Sequence, residues 1–364
     1  MKVVLIAGET SGDLIGAEIA SEFAKNGIEV LGVGGENMLK SGLKTSFFEM
    51  SEISLMGFAE IVPKILKMKK LIKETAEKIL DINPEYVITI DSPGFNLRLV
   101  KLLRKADFKG KIYHAIAPTV WAYKPERSKV FASVFDKLFC ILPFEPPFFK
   151  KDGLDAEFIC YPPLLRLKKL MPEMESFPKE YILFNIGSRN VEVKSNLEFA
   201  TKVISLIKKE IPDAKFVFQT FPQFEKIIKE KFPNEIIVSG SEDKLFYLKR
   251  AKFSISKSGT GAMEISLLGI PSVVFYNANP LSVLIMKFLA KIKFMHLVNI
   301  ILNREAIPEF VQPKNNPEIF VKKIIEILQN PNLVKLQKEN ISEVKKILEN
   351  SNYNSFGEGV FKNL

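Results

Sequence analysis

The chain contains very little histidine or cysteine. Among its 364 residues are only His114, His296, Cys140 and Cys160 of these two types. Two cysteines cannot build a disulfide framework, and they have no partners at the spacing of a zinc site. Two histidines exclude a multi-histidine metal site and leave little scope for a Ser-His-Asp system. We therefore expect no metal and no cofactor, with acid–base chemistry carried by carboxylates.

Long apolar runs are also missing. The first apolar run, 3–7, is too short for a signal peptide, and no 18-residue uninterrupted apolar stretch occurs. Apolar residues make up 47% and charged residues 26%, as in ordinary globular proteins. We expect a cytosolic protein without a spanning helix, and its length favours two domains.

The net charge of +10 points to an anionic partner. Nucleic acid, an anionic membrane surface and phosphorylated substrates are the three candidates. Because the chain has no RNA-module signature, no zinc finger and a single tryptophan, we do not expect nucleic acid. A lysine-rich solvated surface is the alternative explanation for part of the excess.

Short β-branched strands alternate with amphipathic helices, which is typical of α/β proteins with parallel sheets. A proline-rich segment, 161–178, interrupts the pattern, which restarts afterwards. We predict two doubly wound, Rossmann-like lobes that face each other across a cleft, at 1–165 and 166–340, with a C-terminal helix at 341–364 that packs back on the first lobe. Strands are predicted at 3–7, 30–33, 86–90, 111–116, 137–141, 181–185, 215–219, 236–238, 253–256 and 272–275.

Two strand-to-helix junctions share a glycine turn. One is Gly8-Glu9-Thr10-Ser11-Gly12-Asp13 after strand 3–7, and the other is Ile186-Gly187-Ser188-Arg189 after strand 181–185. Glycine lets the backbone approach a ligand, and the helix N-terminus offers unpaired N–H groups to an anion. The first turn alone is a weak motif, since it lacks both GxGxxG and the P-loop lysine. Together the two turns predict a phosphate-containing ligand.

Asp91 is the principal candidate for a catalytic carboxylate. It follows the apolar strand 86–90 and precedes Ser92-Pro93-Gly94. Ligands of open α/β sheets gather beyond the carboxyl ends of the strands. The alternative is an aspartate that caps a helix or stabilises a turn.

A third turn, Ser258-Gly259-Thr260-Gly261, follows a strand and opens a helix that contains Glu264. Its small residues and free N–H groups suit a diphosphate, and Glu264 can accept both hydroxyls of a ribose. Arg189 can neutralise the charge that builds on a departing diphosphate. The alternatives are helix-dipole complementarity for Glu264 and a surface position for Arg189.

The segment 55–70 combines an apolar stripe, which includes Met56, Phe58 and Ile61, with clustered lysines. Such a stretch suits a bilayer surface or bound acyl chains. Ordinary core packing with a solvated face is the alternative. A second candidate is 281–290, which is apolar apart from Ser282 and Lys287.

Taken together, these segments resemble the lipid-A-disaccharide synthases, bacterial glycosyltransferases of the two-lobed GT-B type. The resemblance covers residues 1 to about 312 and depends on the order of many short motifs. They are 7–13, Gly34-Gly35 with Met38, Met56-Gly57, 90–93 with Phe95-Asn96, 118–122, 142–145, 187–189 with Glu192, 258–260 with Glu264, and Asn299 before Arg304-Glu305. The family usually has histidine near Tyr161, an aspartate at the position of Gly94 and a proline at that of Ile186.

The resemblance implies transfer of 2,3-diacylglucosamine from UDP to 2,3-diacylglucosamine 1-phosphate, a step of lipid A and lipopolysaccharide biosynthesis. It implies an inverting, metal-free displacement with Asp91 as base, His114 as the next candidate and Arg189 at the leaving group. It also implies peripheral association with the inner membrane. The expected UDP site is Gly187, Ser188, Arg189, Ser258, Gly259, Thr260, Gly261 and Glu264, and the expected acceptor side is Gly8, Glu9, Ser11, Gly12, Met56, Phe58 and Ile61.

Two alternative functions remain at this point. A UDP-N-acetylglucosamine epimerase or a peptidoglycan glycosyltransferase would share the two glycine-turn lobes, but its soluble substrate would not need the apolar stripe at 55–71. A non-enzymatic membrane-surface or nucleotide-binding module would leave Asp91 and Arg189 without a role.

Overall fold

The structure is a computed structural model that describes residues 1–54, 61–168, 171, 177–187, 190–239, 241–277, 293–312 and 316–364. The chain divides into two compact units. The N-terminal unit contains Met1–Pro162 and Leu348–Leu364, and the C-terminal unit contains Pro163–Ile347.

The N-terminal unit is built on a seven-stranded parallel sheet. Its strands are β1 (Lys2–Ala7), β2 (Glu29–Val33), β3 (Leu43–Ser46), β4 (Tyr86–Ile90), β5 (Lys111–Ala115), β6 (Lys137–Cys140) and β7 (Asp155–Phe158). They are ordered β3-β2-β1-β4-β5-β6-β7. The helices before the domain boundary are α1 (Thr10–Lys25), α2 (Glu36–Ser41), α3 (Ser51–Ser54), α4 (Ile61–Ile82), α5 (Pro93–Lys105), α6 (Arg127–Ala132) and α7 (Pro146–Lys150).

The C-terminal unit contains a six-stranded parallel sheet, ordered β10-β9-β8-β11-β12-β13. Its strands are β8 (Tyr181–Asn185), β9 (Lys215–Gln219), β10 (Ile236–Val238), β11 (Ala251–Lys257), β12 (Ser272–Tyr276) and β13 (Glu309–Val311). The remaining helices are α8 (Pro162–Lys168), α9 (Asn190–Glu210), α10 (Glu225–Lys231), α11 (Ser241–Arg250), α12 (Thr260–Leu267), α13 (Leu297–Leu302), α14 (Pro317–Gln329), α15 (Pro331–Glu349) and α16 (Phe356–Phe361).

The last helix belongs to the N-terminal unit. Phe356 and Val360 on α16 are fully buried, and the Phe361 ring meets Phe23 of α1 edge to face at 6.3 Å. The backbone of α16 approaches α1 so closely that a Cβ on Gly357 would lie 2.2 Å from the Glu18 carbonyl oxygen. A side chain at position 357 would therefore push the two helices apart.

Both sheets have the doubly wound strand order, in which the chain returns to the centre and then builds in the other direction. The predicted class, α/β with two doubly wound parallel sheets, is confirmed. The reversal falls between β1 and β4 in one sheet and between β8 and β11 in the other. Ligands of such sheets bind beyond the carboxyl ends of the strands at these switch points.

Three strands were not predicted: β3, β7 and β13. All three lie at sheet edges, and they are only three or four residues long. Edge strands are short and carry mixed polarity because one side is unpaired, so their sequence pattern is weak.

Candidate functional site

The switch point of the N-terminal unit brings the first glycine turn against the end of β4. A Cβ on Gly8 would lie 2.4 Å from the Ser92 Oγ and 2.8 Å from the Ser92 Cβ. Glycine is therefore needed at position 8 so that the turn after β1 can touch the turn after β4. This contact joins two of the predicted site segments.

The turn after β4 has an unusual backbone. Asp91 and Ser92 are consecutive non-glycine residues in the left-handed region, with φ of +49° and +42°. The Asp91 N–H donates to the Ala115 carbonyl at 3.0 Å, and the Asn96 amide donates to the Asp91 carbonyl at 2.8 Å. Such strained conformations persist where surrounding contacts hold them, and they cluster at functional sites.

The structure also argues against the interpretation that Asp91 caps a helix. The N-cap of α5 is Ser92, whose side chain makes no cap hydrogen bond, and its Oγ is buried without a partner among the described residues. Burial raises the pKa of Asp91, although a hydrogen bond from the Ser92 backbone partly offsets the rise. A partly desolvated carboxylate of this kind is suited to accept a proton.

The residues of the first glycine turn differ in their surroundings. Glu9 and Ser11 are exposed at the start of α1, and Gly12 is buried there. Asp13 is 2% exposed and accepts hydrogen bonds from the backbone N–H groups of Gly35, Asn37 and Met38 at 2.7–3.2 Å. Asp13 therefore holds the start of α2.

His114 lies inside the N-terminal unit. Its ring packs against Phe131 and Phe135, with centroids 5.2 and 4.9 Å away, and its Nδ1 lies 2.7 Å from the Thr89 Oγ1. Its Nε2 is buried without a partner among the described residues. Desolvation lowers the pKa of His114 to about 3, so the imidazole is neutral at pH 7.

The basic amphipathic segment is described only from residue 61 onward. Met56 and Phe58 lie outside the described residues, as does 281–290, and for Ile61 the backbone of α4 alone is described. Further along α4, the spacing of the buried residues Leu71, Ile72, Ala76 and Ile79 is that of a core-facing stripe. These four residues follow the segment 55–70; within it, the described side chains of 66–70 are exposed or half-buried.

The C-terminal unit has a cavity of about 480 Å³ at its own switch point, which we call the donor pocket. It opens where β8, β9 and β11 end and where α12 begins. Its lining residues are Asn185, Gly187, Gln219, Thr220, Phe221, Ser239, Lys244, Lys257, Ser258, Gly259, Thr260, Gly261 and Glu264. Six of the eight residues predicted to bind UDP line this pocket; Ser188 and Arg189 lie outside the described residues.

Two glycines allow the close approach in the donor pocket. Gly187 has φ of +99°, and its N–H donates to the Asn185 Oδ1 at 3.2 Å. A Cβ on Gly261 would lie 2.9 Å from the Asn185 Nδ2. Ser258 has a structural role, because its Oγ donates to the Met295 carbonyl at 3.0 Å. The anion-binding groups left at this turn are the first N–H groups of α12.

Glu264 lies one turn into α12 and lines the donor pocket. Its carboxylate has no hydrogen-bond or ion-pair partner among the described residues, and it lies beyond the first turn of the helix. Helix-dipole complementarity is strongest in the first turn. The position of Glu264 therefore favours the ribose role over the dipole alternative.

Seven lining residues of the pocket were not among the predicted UDP-binding residues: Asn185, Gln219, Thr220, Phe221, Ser239, Lys244 and Lys257. The lysines add positive charge, and Gln219 and Thr220 each carry a buried polar atom without a partner in the described part of the chain. Their common signal is position, since Gln219 and Lys257 end strands and Thr220 follows one directly. Among the described residues, no group of three or more His, Cys, Asp or Glu is arranged to hold a metal ion.

These features define a class. Two doubly wound units, the second with a cavity at its switch point, are the fold class that the sequence predicted. A family model described as lipid-A-disaccharide synthetase matches residues 3–358, and the chain belongs to that family. It is an enzyme of the glycosyltransferase class, as the sequence analysis predicted.

The comparisons with individual proteins agree with this assignment. A lipid-A-disaccharide synthase of Rickettsia bellii (strain OSU 85-389) is 38% identical over 369 residues, covering 97% of this chain and 95% of that protein. A solved UDP-GlcNAc 2-epimerase from Neisseria meningitidis, bound to UDP-GlcNAc, has a TM-score of 0.62 at 12% identity, with 95% and 98% of the two chains covered. Acinetobacter baumannii MurG has a TM-score of 0.56 at 13% identity, with 96% and 99% covered.

The two kinds of likeness carry different weight. The two solved structures share the fold alone, because their identity to this chain is 12–13%. The sequence match to the lipid-A-disaccharide synthases extends over nearly the whole chain. Sequence, and not fold, therefore decides between the predicted function and the epimerase alternative.

Proposed function

We propose that this enzyme transfers 2,3-diacylglucosamine from UDP to the 6-hydroxyl of 2,3-diacylglucosamine 1-phosphate. The products are the β-1',6-linked lipid A disaccharide 1-phosphate and UDP. The observation that carries this proposal is the family match over residues 3–358. The donor pocket supports it, because its α12 N-terminus, Glu264 and two lysines suit a nucleoside diphosphate.

In the proposed step, the acceptor oxygen attacks the anomeric carbon while the bond from that carbon to the β-phosphate oxygen breaks. One in-line displacement inverts an α-linked donor to a β-linked product. Asp91 takes the proton of the attacking hydroxyl, and its raised pKa makes it a better base than an exposed aspartate. The strained turn at 91–92 holds the carboxylate in place.

The leaving UDP takes up the electron pair of the broken bond. The N–H groups at the start of α12, together with Lys244 and Lys257, stabilise that charge. Arg189, which lies outside the described residues, supplies a further positive charge in this proposal. Arg189→Ala should lower kcat and also weaken UDP binding, because the guanidinium contacts the diphosphate before and during the reaction.

Asp91 is preferred over His114 for physical reasons. The His114 ring is 1% exposed among aromatic side chains, and its pKa is lowered to about 3. A base of that pKa drives proton transfer weakly at neutral pH. If Asp91→Asn keeps near-normal turnover, His114 is the next residue to substitute.

We also propose that the enzyme acts at the cytoplasmic surface of the inner membrane, because both substrates carry acyl chains. Within the described residues, none of the helices is both long and apolar enough to cross a bilayer. The exposed part of α4 includes Leu66 and Lys69, and each basic residue near anionic lipid adds about 1 kcal/mol of attraction. Cosedimentation with anionic vesicles should weaken at high salt, and equal solubility with and without vesicles at low salt would contradict this proposal.

The proposed activity is tested by incubating the purified chain with both acylated sugars. We expect UDP release together with one disaccharide product, and loss of both with Asp91→Asn. Epimerisation of UDP-N-acetylglucosamine without disaccharide formation would support the alternative enzyme. UDP binding without any turnover of either substrate would support the non-enzymatic alternative.

A further inference from the structure

The C-terminal unit contains a second cavity that adjoins the donor pocket. It has a volume of about 220 Å³ and shares Gln219, Lys244, Gly261 and Glu264 with the donor pocket. Its remaining lining residues are apolar: Leu167, Leu245, Leu248, Ile265 and Leu268. We call it the base slot. The slot is lined by four leucines and one isoleucine, together with a single amide and two charged groups. Such a lining suits a flat, mostly apolar ring.

The order of groups along α12 relates the base slot to the donor pocket. Phosphate-binding N–H groups lie at the start of the helix, at Gly259 and Thr260, and Glu264 lies about 6 Å further along the axis at 1.5 Å per residue. Ile265 and Leu268 of the base slot follow immediately. A nucleoside diphosphate has the same order of parts: phosphates, ribose, base. With phosphates at Thr260 and ribose at Glu264, the base enters this slot.

Gln219 is the polar group of the slot that requires an explanation. Its strand, β9, alternates Phe216 and Phe218 on one face with Val217 on the other. Because side chains alternate along a strand, Gln219 shares the face of Val217, which packs under Leu248, Ile265 and Leu268. The Gln219 Oε1 is buried and has no hydrogen-bond partner among the described residues. An amide oxygen in an apolar layer is destabilising unless a donor reaches it.

We propose that Gln219 selects uracil, with its Oε1 accepting the hydrogen bond of the base N3–H. The inference deepens the proposed function, because it depends on the donor pocket holding a UDP-sugar. Uracil carries a hydrogen on N3, whereas the N3 of cytosine is an acceptor. The Gln219 oxygen therefore gains a donor from uracil and faces a second acceptor with cytosine. A site built around one such hydrogen bond discriminates strongly against the analogue that lacks it.

The test is calorimetric binding of UDP, CDP and N3-methylated UDP to the full chain. Wild type should bind UDP at least about 10-fold more tightly than either analogue, the cost of one unmade buried hydrogen bond. Gln219→Leu should lower UDP affinity about 10-fold and bring all three ligands within about threefold of one another. Glu264→Gln should weaken UDP and CDP by the same factor, because both carry the ribose.

Gln329→Leu is the matched control, since Gln329 is exposed at the end of α14 and lines neither cavity. It should leave all three affinities unchanged. If Gln219→Leu fails to fold, the comparison of UDP with N3-methylated UDP on wild type still decides. Equal wild-type affinity for the three ligands, or a full UDP preference in Gln219→Leu, would overturn the role of Gln219. A wild-type protein that binds none of them would instead reject the donor pocket of the proposed function.

Discussion

The two sheets have the same central strand order, but their carboxyl edges carry opposite chemistry. In the N-terminal unit, β4 is followed by two left-handed non-glycine residues, Asp91 and Ser92, the first of which carries the candidate carboxylate. In the C-terminal unit, β11 is followed by Ser258-Gly259-Thr260-Gly261, which opens α12 beside Lys244 and Lys257. In such sheets topology selects the place where a ligand binds, and the residue types at the strand ends determine which chemistry that place suits.

The electrostatics of the two edges follow this division. Burial raises the pKa of Asp91, which favours proton acceptance over a permanent charge. The donor pocket instead combines N–H groups with lysines, and such groups suit an anion and exchange no proton with it. Substitutions at the first edge should therefore change turnover, and substitutions at the second should change nucleotide affinity.

The largest expected effect is on turnover, and it tests Asp91 at the carboxyl edge of the N-terminal sheet. Asp91→Asn keeps the side-chain shape but removes the proton acceptor, so kcat should fall by at least about 10²-fold while UDP affinity stays unchanged. The acidic limb of the pH–rate profile should also disappear. In wild type, activity should be lost as pH falls through the Asp91 pKa, which lies above the ordinary 3.8.

Asp107→Asn is a matched control for that variant. Asp107 also has a left-handed backbone, with φ of +57°, but it is exposed and pairs with Lys109 at 2.6 Å. Its substitution should leave kcat unchanged. A similar loss in both variants would mean that the backbone conformation, and not the carboxylate, sustains turnover.

Substitution of Glu264 tests whether the carboxyl edge of the C-terminal sheet determines nucleotide affinity. Glu264→Ala should weaken UDP binding by about 1–3 kcal/mol and raise the donor KM, because charged hydrogen bonds to the ribose are lost. Glu198→Ala, at an exposed position on α9, serves as the control. If calorimetry shows that Glu264→Ala leaves UDP affinity unchanged, Glu264 stabilises the helix and does not bind the ribose.

A smaller effect is expected where the turns after β1 and β4 touch. In Gly8→Ala the new methyl would meet Ser92 at 2.4 Å, and this overlap should lower stability by about 1–3 kcal/mol and disturb the Asp91 turn. Gly94→Ala is the control, because a Cβ there meets only the Arg98 Nη1 at 4.0 Å. Thermal unfolding and kcat of the two variants give the comparison, and equal melting temperatures would contradict the close contact.

The parts of this site that the sequence predicted are those with a local pattern. Gly8, Gly187 and Gly259 were predicted because a glycine between a strand and a helix has a local physical cause. Asp91 was predicted from its position after an apolar strand. The central strands were also predicted from a local pattern, their short apolar runs.

The other parts depend on contacts between distant residues. The Asp13 carboxylate accepts hydrogen bonds from Gly35, Asn37 and Met38, which lie more than twenty residues away in the sequence. No sequence pattern pointed to Gln219 as a binding residue, because only the sheet register places it beside Asn185 and under α12. Single-sequence patterns do not encode which strands become neighbours, so residues that act through neighbouring strands are missed.

The last prediction concerns stability and not activity, and it depends on Glu145, five residues after the end of β6 in the N-terminal unit. Its carboxylate is 2% exposed, and it accepts hydrogen bonds from the Trp121 Nε1 at 3.3 Å and the Leu142 N–H at 3.1 Å. Desolvation raises the pKa of Glu145 from 4.5 to about 8. Because Trp121 is the only tryptophan, its emission reports directly on this carboxyl group.

We expect a single transition in tryptophan emission with a midpoint near pH 8 that is absent in Glu145→Gln. The sign for stability follows from linkage: between pH 4.5 and about 8 the folded state holds a proton that the unfolded state has released. Stability should therefore fall as pH rises through this window, by an amount on the order of a few kcal/mol, and level off above it. Glu145→Gln should flatten this decline. An emission midpoint near pH 4.5 would mean that the Glu145 carboxyl group is solvated. Among the described residues that follow β4, β5 and β6, Asp91 would then be the one desolvated acid.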